Sequence, residues 1–83
     1  MTQTTNEFEE KAYQLVSKAL GCTIDSLSPL SGIYDHPDWD SFGHLQIILE
    51  IEHHFGLEIT DEDVLKFASI EEIINLHRRQ QKN

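Results

Sequence analysis

Two adjacent residues, Asp40 and Ser41, are the strongest candidates for chemistry in this chain of 83 residues. Asp40 is a good helix N-cap, because its carboxylate can accept a hydrogen bond from a backbone N–H of the first turn. Ser41 then falls in that first turn, at the start of an apolar-rich segment that ends at Phe55. The pair therefore predicts a hydroxyl at a helix N-terminus, available either as a nucleophile or as an attachment point.

The nucleophile interpretation adds His44, which lies one turn beyond Ser41 and would complete a hydrolase triad with Asp40. A triad also needs an oxyanion hole and a substrate cleft. A single small domain has little room for either, so we favour a plain helix-start serine or an attachment point over a hydrolase.

A calcium loop is a second possibility, because Asp38, Asp40 and Gly43 follow the spacing at the start of an EF-hand loop. Phe42 occupies a ligand position, however, and the position of the bidentate glutamate falls on Leu49. Two of the required ligands are therefore apolar residues, and we expect no calcium site.

Histidine ligands are a third possibility, since His44, His53 and His54 lie near Glu50 in the same segment. Adjacent His53 and His54 point to different faces of a helix, so they cannot both ligate one simple site. We therefore expect solvated histidines and no bound metal.

A helix over residues 41–55 would position Ser41 and would end at Gly56, a natural C-terminal stop. Its apolar residues form two stripes at helical spacing: Ile47, Ile48, Ile51 and Phe55 in one, and Phe42, Leu45 and Leu49 in the other. A surface helix needs only one apolar stripe to pack on a core. The second stripe (Phe42, Leu45 and Leu49) begins beside Ser41 and predicts either a docking surface or a helix buried on two sides.

A first helix is predicted to begin at an Asn6 N-cap, with Glu9 in the capping-box position, and to end at Gly21. Residues 1–5 are polar, and we expect them to be frayed. The buried face of this helix is predicted to comprise Phe8, Ala12, Leu15, Val16, Ala19 and Leu20.

Residues 22–39 are rich in turn formers but also contain scattered apolar side chains: Ile24, Leu27, Leu30, Ile33 and Tyr34. A solvated linker would not hold so many, so we predict a long ordered loop that is pinned by those residues. Thr60 and Ser69 are predicted to cap a short third helix and a longer fourth one. The fold class predicted for a single domain over residues 1–83 is an all-α, small antiparallel four-helix bundle, with three longer helices and one short helix. We expect its core to include Phe8, Leu15, Ile51, Phe55 and Ile74.

The charge balance excludes several classes of partner. Asp plus Glu number 15 against 6 Lys plus Arg, and the formal net charge is −9. Such a surface repels nucleic acids and anionic membranes and favours basic protein surfaces. Cys22 is the only cysteine, so no intrachain disulfide can form, and a reducing compartment is the simpler assumption. With no signal peptide and no apolar run long enough to cross a bilayer, we expect a cytoplasmic monomer without stable membrane insertion.

The sequence Asp40-Ser41-Phe42, followed by a long helix, resembles the phosphopantetheine site of acyl carrier proteins. The motif in that family is Asp-Ser-Leu at the start of the second helix, so Phe42 is a mild departure. The Phe55-Gly56 pair, the 57–59 connector, the acidic short helix from Asp61 and the last helix from Ser69 all follow in family order. The resemblance covers nearly the whole chain and is weakest in the loop before residue 39. The opening Trp-Asp-Ser is more similar to specialised, free-standing carriers than to the housekeeping fatty-acid carrier.

The resemblance implies a carrier that is not itself an enzyme. Ser41 would bear 4'-phosphopantetheine, whose thiol carries an acyl, aminoacyl or hydroxyacyl group as a thioester. Asp40 would help to position Ser41 and a metal ion while a phosphopantetheinyl transferase acts. The other partners would be an acyl- or amino-acid-activating ligase and an acyltransferase or synthase. The cargo itself leaves no mark in the sequence.

Docking to these enzymes would use the second helix, where we expect the partner-contacting residues to be Phe42, Leu45, Gln46, Leu49, Glu52 and His53. Typical carriers place acids along this helix, whereas here Gly43 and Gln46 are uncharged. This departure predicts a small, dedicated set of partner enzymes. An alternative is a helical adaptor module that binds an apolar partner helix beside Phe42 and Leu49 without a prosthetic group.

Overall fold

The computed structural model describes residues 3–81, with the side chains of residues 7–80. Its helices are α1 (Gln3–Leu20), α2 (Ser41–Phe55), α3 (Asp61–Val64) and α4 (Ile70–Gln81). Short 3-10 turns lie at Ile24–Ser26 in the first loop and at Leu65–Phe67 directly after α3. The predicted all-α bundle of three longer helices and one short helix is confirmed.

Helix α1 begins earlier than the sequence predicts. Its backbone is helical from Gln3, so Asn6 lies inside the helix and is not its N-cap. Of the residues expected to be frayed, Met1 and Thr2 lie outside the described part of the chain. The predicted end is confirmed, because Gly21 adopts a left-handed backbone with φ of 72° and its N–H donates to the Ser17 carbonyl at 2.8 Å.

Both predicted ends of α2 are confirmed. Asp40 has an extended backbone, and its Oδ1 accepts a hydrogen bond from the Gly43 N–H at 2.9 Å. At the other end, Gly56 has φ of 67° and donates its N–H to the Glu52 carbonyl. Glycine enters this left-handed backbone region at little cost. Gly56 therefore ends the helix, and Phe55 is its last residue.

The two later helices differ in how they begin. Thr60 stands at the N-cap of α3 as predicted, but its side chain makes no capping hydrogen bond. The connector before it is held by another group, since the Ile59 N–H donates to the Glu52 carboxylate at 2.8 Å. Ser69 does cap α4, with its Oγ accepting the Glu72 N–H at 3.3 Å.

The core forms where α1 packs against both α2 and α4, and Leu15, Ile51 and Ile74 are buried there as expected. The prediction that Phe8 and Phe55 belong to the buried set is wrong, because both are half-buried at its edge. The Arg78 guanidinium covers the Phe8 ring at 5.7 Å. The largest fully buried side chains are Trp39, Ile47, Ile51, Ile70, Ile73 and Val16.

The long loop between α1 and α2 is ordered, but not by all of the apolar residues assigned to that role. Leu27 is buried and Ile33 is half-buried. Ile24, Leu30 and Tyr34 are exposed by 42%, 88% and 69%, so the prediction that they pin the loop is wrong.

The loop is held by backbone hydrogen bonds to the α3–α4 junction, and not by the three exposed side chains. The Ile33 N–H donates to the Ala68 carbonyl, and the Ile70 N–H donates to the Ser31 carbonyl, both at 2.9 Å. Gly32 and Ser69 form an antiparallel bridge between these two bonds. The loop, which precedes α2, is therefore anchored to residues 68–70, which come after α3.

One side of the bundle has a cleft of about 340 Å³. It is lined by side chains of α1, α2 and α4, and His77 is one of them. His77 is 4% exposed and lies on the buried face of α4 with Ile70, Ile73 and Ile74. Burial lowers its pKa, an effect that the hydrogen bond to the Ile73 carbonyl opposes and that His54 and Lys11 reinforce. The ring is therefore neutral near pH 7 and packs with its edge toward Phe55.

The two stripes of α2 make a testable pair. Ile51→Ala should lower the free energy of unfolding by about 2–5 kcal/mol, because it leaves a cavity in a fully buried position. Leu49→Ala removes the same number of carbon atoms from a side chain that is 57% exposed and should cost less than about 1 kcal/mol. Urea unfolding measures both, and equal losses would contradict the assignment of Leu49 to a free surface.

Candidate attachment site

Ser41 is the first residue of α2, and its side chain is exposed. Its Oγ lies 2.5 Å from the hydroxyl of Tyr34, a residue of the preceding loop. Asp40 is also exposed, and its carboxylate is turned toward the Gly43 N–H. The structure thus places an accessible hydroxyl at the start of a capped helix.

His44 does not point at Ser41. It is 3% exposed, its Nδ1 accepts the Trp39 indole N–H at 3.1 Å, and its Nε2 lies 2.8 Å from the Val64 carbonyl oxygen. Because an indole N–H can only donate, Nδ1 is the acceptor and Nε2 carries the hydrogen that binds Val64. Both ring nitrogens are committed elsewhere, so His44 cannot serve as a base for Ser41.

The expectation that His44 is solvated is therefore wrong. A signal for its burial is present in the sequence, since residues 44, 47, 48 and 51 share the spacing of one helix face. Trp39 stacks near the His44 ring, with centroids 6.2 Å apart, and is fully buried. No sequence pattern reveals that the indole is the partner of His44.

The other histidines of α2 behave as expected. His53 and His54 are exposed, and His54 lies edge-on to the Phe55 ring at 4.7 Å. With His44 buried and bound to Trp39, the proposed set of histidine ligands does not come together.

A different group of metal-binding side chains does come together in the long loop. One ligand atom each from Cys22, His36 and Asp38 lies within 4.8 Å of the others, beside an open cleft of about 560 Å³. Both nitrogens of the His36 ring already have partners, however. Nδ1 accepts the Asp38 N–H at 3.0 Å, and Nε2 lies 2.9 Å from the Ser26 hydroxyl. An ion would have to displace one of these bonds, so the group is explained by its role in holding the loop.

Gly43 is buried against that same loop. A Cβ atom at this position would overlap the Asp38 carbonyl oxygen and would lie 2.7 Å from the Leu20 side chain. The close approach brings the start of α2 against both the loop and the end of α1. Gly43 therefore faces inward, and its lack of charge says nothing about partner choice, contrary to the sequence interpretation.

The second stripe is exposed beside the attachment site. Phe42, Leu45 and Leu49 are 70%, 54% and 57% exposed. The interpretation of α2 as a helix buried on two sides is therefore wrong. An apolar strip of this kind beside an accessible hydroxyl is typical of a binding surface.

The polar residues expected to contact partners have mixed surroundings. His53 is exposed and Gln46 is half-buried, so both reach the surface. Glu52 is also half-buried, and its carboxylate already accepts the Ile59 N–H. A part in docking would have to be compatible with that bond.

None of the described helices is long and apolar enough to cross a membrane.

The family described as "Phosphopantetheine attachment site" matches residues 10–76. The chain belongs to this family. Acyl carrier proteins from Chlorobium phaeobacteroides, Chlorobium phaeovibrioides and Chlorobium luteolum are each 29% identical to it over 72 residues. The matched region spans 87% of this chain and 92% of each relative, so the similarity extends over almost the whole of both.

Members of the phosphopantetheine attachment family are carriers and not enzymes themselves, and they interact with synthase and transferase enzymes. Their cofactor is phosphopantetheine. The residues present fit such a group: the Ser41 hydroxyl is accessible, and the exposed Phe42 side chain stands next to it. The resemblance found in the sequence is thus confirmed at the level of the family and its cofactor.

The packing of Gly43 predicts an unusual sign for a helix substitution. Within an ordinary helix, replacing glycine by alanine stabilises by roughly 0.5–1 kcal/mol. Here Gly43→Ala should destabilise by about 1–3 kcal/mol, because the new methyl group meets a backbone carbonyl that cannot turn aside freely. Chemical denaturation measures the change. Amide resonances of residues 38–42 should move as the helix start is displaced. An increase in stability on Gly43→Ala would contradict the close packing of Gly43 against the Asp38 carbonyl.

Proposed function

We propose that this protein carries acyl-type intermediates as thioesters on a 4'-phosphopantetheine arm attached to Ser41, and delivers them to biosynthetic enzymes. The single observation that supports this best is the exposed hydroxyl of Ser41 at the first turn of α2, in a chain that belongs to the phosphopantetheine attachment family. The match includes this residue, since it extends from 10 to 76.

The start of α2 suits a phosphodiester. The free N–H groups of a first helical turn and the helix dipole stabilise a nearby anion. At an exposed position such as this one, the stabilisation is typically about 0.3–1 kcal/mol. The capping bond that the Gly43 N–H donates to the Asp40 carboxylate does not involve the Ser41 side chain, so modification of Ser41 does not remove it. The protein's own contribution is therefore a rigid and electrostatically favourable anchor.

Asp40 has a second role in this proposal. Its carboxylate is exposed and adjacent to Ser41 while also capping the helix. The free oxygen of a carboxylate in this position is available to a metal ion that a phosphopantetheinyl transferase brings to the reaction. Asp40 thus positions Ser41 through the helix and the ion through its side chain.

Chemistry on the cargo belongs to the thiol of the arm and to the partner enzymes. Tethering keeps the cargo at a high effective concentration once a partner has docked, so each delivery is intramolecular. The partners are a phosphopantetheinyl transferase, an acyl- or amino-acid-activating ligase, and an acyltransferase or synthase. All of them would meet the second stripe and the exposed end of α2 on approaching Ser41.

The attachment residue is tested by modification with a phosphopantetheinyl transferase and intact-mass measurement. The unaltered protein should gain the mass of one phosphopantetheine group, and Ser41→Ala should gain none while it keeps its helical signal and melting temperature. Ser17→Ala is the matched control, because Ser17 is also helical but lies on α1, and it should be fully modified. Modification of the Ser41→Ala protein would refute the assignment. Failure of every variant to react would favour an adaptor module instead.

Partner choice is expected to depend on the outer face of α2. The unmodified face should make the loaded protein a poor substrate for a fatty-acid-pathway acyltransferase, because close docking requires paired charges. Replacing both Gln46 and His53 by glutamate should raise the transfer rate. The matched control, Gln14→Glu with Gln80→Glu, adds acids on α1 and α4 and should change the rate much less.

The control distinguishes close docking by charges on α2 from long-range attraction by the net charge of the whole protein. An equal increase in both double variants would show that the summed field of the protein is enough to attract the enzyme. A high rate with the unaltered carrier would exclude a dedicated set of partners.

A further inference from the structure

Tyr34 has an unusual conformation for an aromatic residue. Its φ of 71° lies in the left-handed region, and among the described residues it is the one non-glycine residue with a positive φ. Bulky side chains rarely adopt this backbone conformation. The ring is 69% exposed, so core packing does not compensate for it. Such residues are held in place by the structure around them, and they cluster at functional sites.

The backbone on both sides of Tyr34 is fixed. Its N–H donates to the Trp39 carbonyl at 2.6 Å, which closes the loop just before α2. Asp35 donates its N–H to the Gly32 carbonyl at 2.9 Å, and Gly32 is bridged to Ser69. Trp39 is fully buried and bound to His44. The base of the Tyr34 side chain is therefore held at a set place relative to the start of α2.

The far end of the side chain meets Ser41. The two hydroxyl oxygens are 2.5 Å apart, and either oxygen can be the donor while Ser41 is unmodified. Among the described residues, this is the one polar contact of the Tyr34 hydroxyl. The exposed phenol is therefore directed at the residue that we propose to be modified, although nothing in the core requires it.

We propose that Tyr34 is a positioning residue for the prosthetic arm, and that its phenol donates a hydrogen bond to the phosphodiester formed on Ser41. This inference rests on the proposed function of Ser41. It names a residue outside the Asp40-Ser41-Phe42 motif.

The direction of the bond follows from the hydrogen count. Esterification removes the hydrogen of the Ser41 hydroxyl, so Oγ can only accept afterwards. Tyr34 retains its hydrogen and becomes the sole donor of the pair. Its best acceptors are the charged, non-bridging oxygens on the phosphorus that is bonded to Oγ, because a hydrogen bond to an ionised acceptor is stronger than one between neutral groups.

The consequence is that rotation about the bonds of the arm nearest Ser41 is restricted. A flexible chain attached to an exposed hydroxyl can rotate about its first bonds in many directions. A bond from a residue whose backbone is fixed selects among these directions. Tyr34 thereby favours one exit path for the arm.

The test compares two single-hydroxyl deletions in the fully loaded protein. Tyr34→Phe removes the proposed donor, and Tyr13→Phe removes the hydroxyl of the only other tyrosine, which lies on α1. Intact mass first shows whether each variant carries the phosphopantetheine group. Phosphorus-31 NMR then reports on the phosphodiester, and the relaxation of the arm's proton resonances reports on its motion.

The expected result is a phosphorus resonance in Tyr34→Phe that is shifted by more than its linewidth, together with faster motion of the atoms nearest Ser41. Tyr13→Phe should match the unaltered protein in both measurements. Full loading with identical phosphorus resonances in all three proteins would overturn the role of Tyr34 and leave the proposed function intact. Absence of loading in the unaltered protein would instead overturn the proposed function.

A second measurement does not depend on a variant that folds. In the unaltered protein with labelled tyrosine, the ring carbon that bears the Tyr34 hydroxyl should shift when Ser41 is modified, because its hydrogen-bond acceptor changes from a hydroxyl to an anion. The same carbon of Tyr13 should not shift. Equal responses of the two tyrosines, or none, would contradict the proposal.

Discussion

The hydrogen bonds of the buried His44 ring are the interaction on which the arrangement of this site depends. One nitrogen accepts from Trp39 in the loop and the other donates to the Val64 carbonyl at the end of α3, so a single side chain of α2 joins three parts of the molecule. Removing the ring would leave the buried Trp39 indole N–H without a partner, which typically costs about 1–3 kcal/mol, and would also free the part-buried Val64 carbonyl. In the described part of the chain, no buried side-chain nitrogen or oxygen lacks a partner.

This interior network allows the surface around Ser41 to remain open. Gly43 packs one side of the first turn against the loop and α1, and His44 packs the next position into the core. The positions on either side of this pair then face solvent, with Phe42 and Leu45 more than half exposed. The proposed attachment site needs both properties, because the anchor must be rigid while enzymes must reach it. Here they are divided between successive residues of one helical turn.

The features that could be predicted from the sequence are those set by local rules. Asp40, Gly21 and Gly56 determine helix ends through neighbouring backbone groups, and the two stripes of α2 follow from a period that needs no partner. The Trp39 partner of His44 and the environments of Gly43 and Tyr34 could not be predicted in the same way, because each depends on the path of an irregular loop. Exposed Leu30 illustrates the same limit, since the loop is held by backbone pairing that side-chain polarity does not report.

The pairing of residues 31–33 with residues 68–70 also bears on how the site forms during synthesis of the chain. The loop receives its two anchoring backbone bonds and its bridge only from groups that follow α3. A ribosome that has produced α1, the loop and α2 has therefore made Ser41 before the backbone groups that anchor residues 31–33 are synthesised. Because domains generally fold as units and long-range contacts form late, the surface around Ser41 becomes complete only after the α3–α4 junction has emerged. Under the proposed function, modification of Ser41 is therefore expected to follow synthesis of the whole bundle.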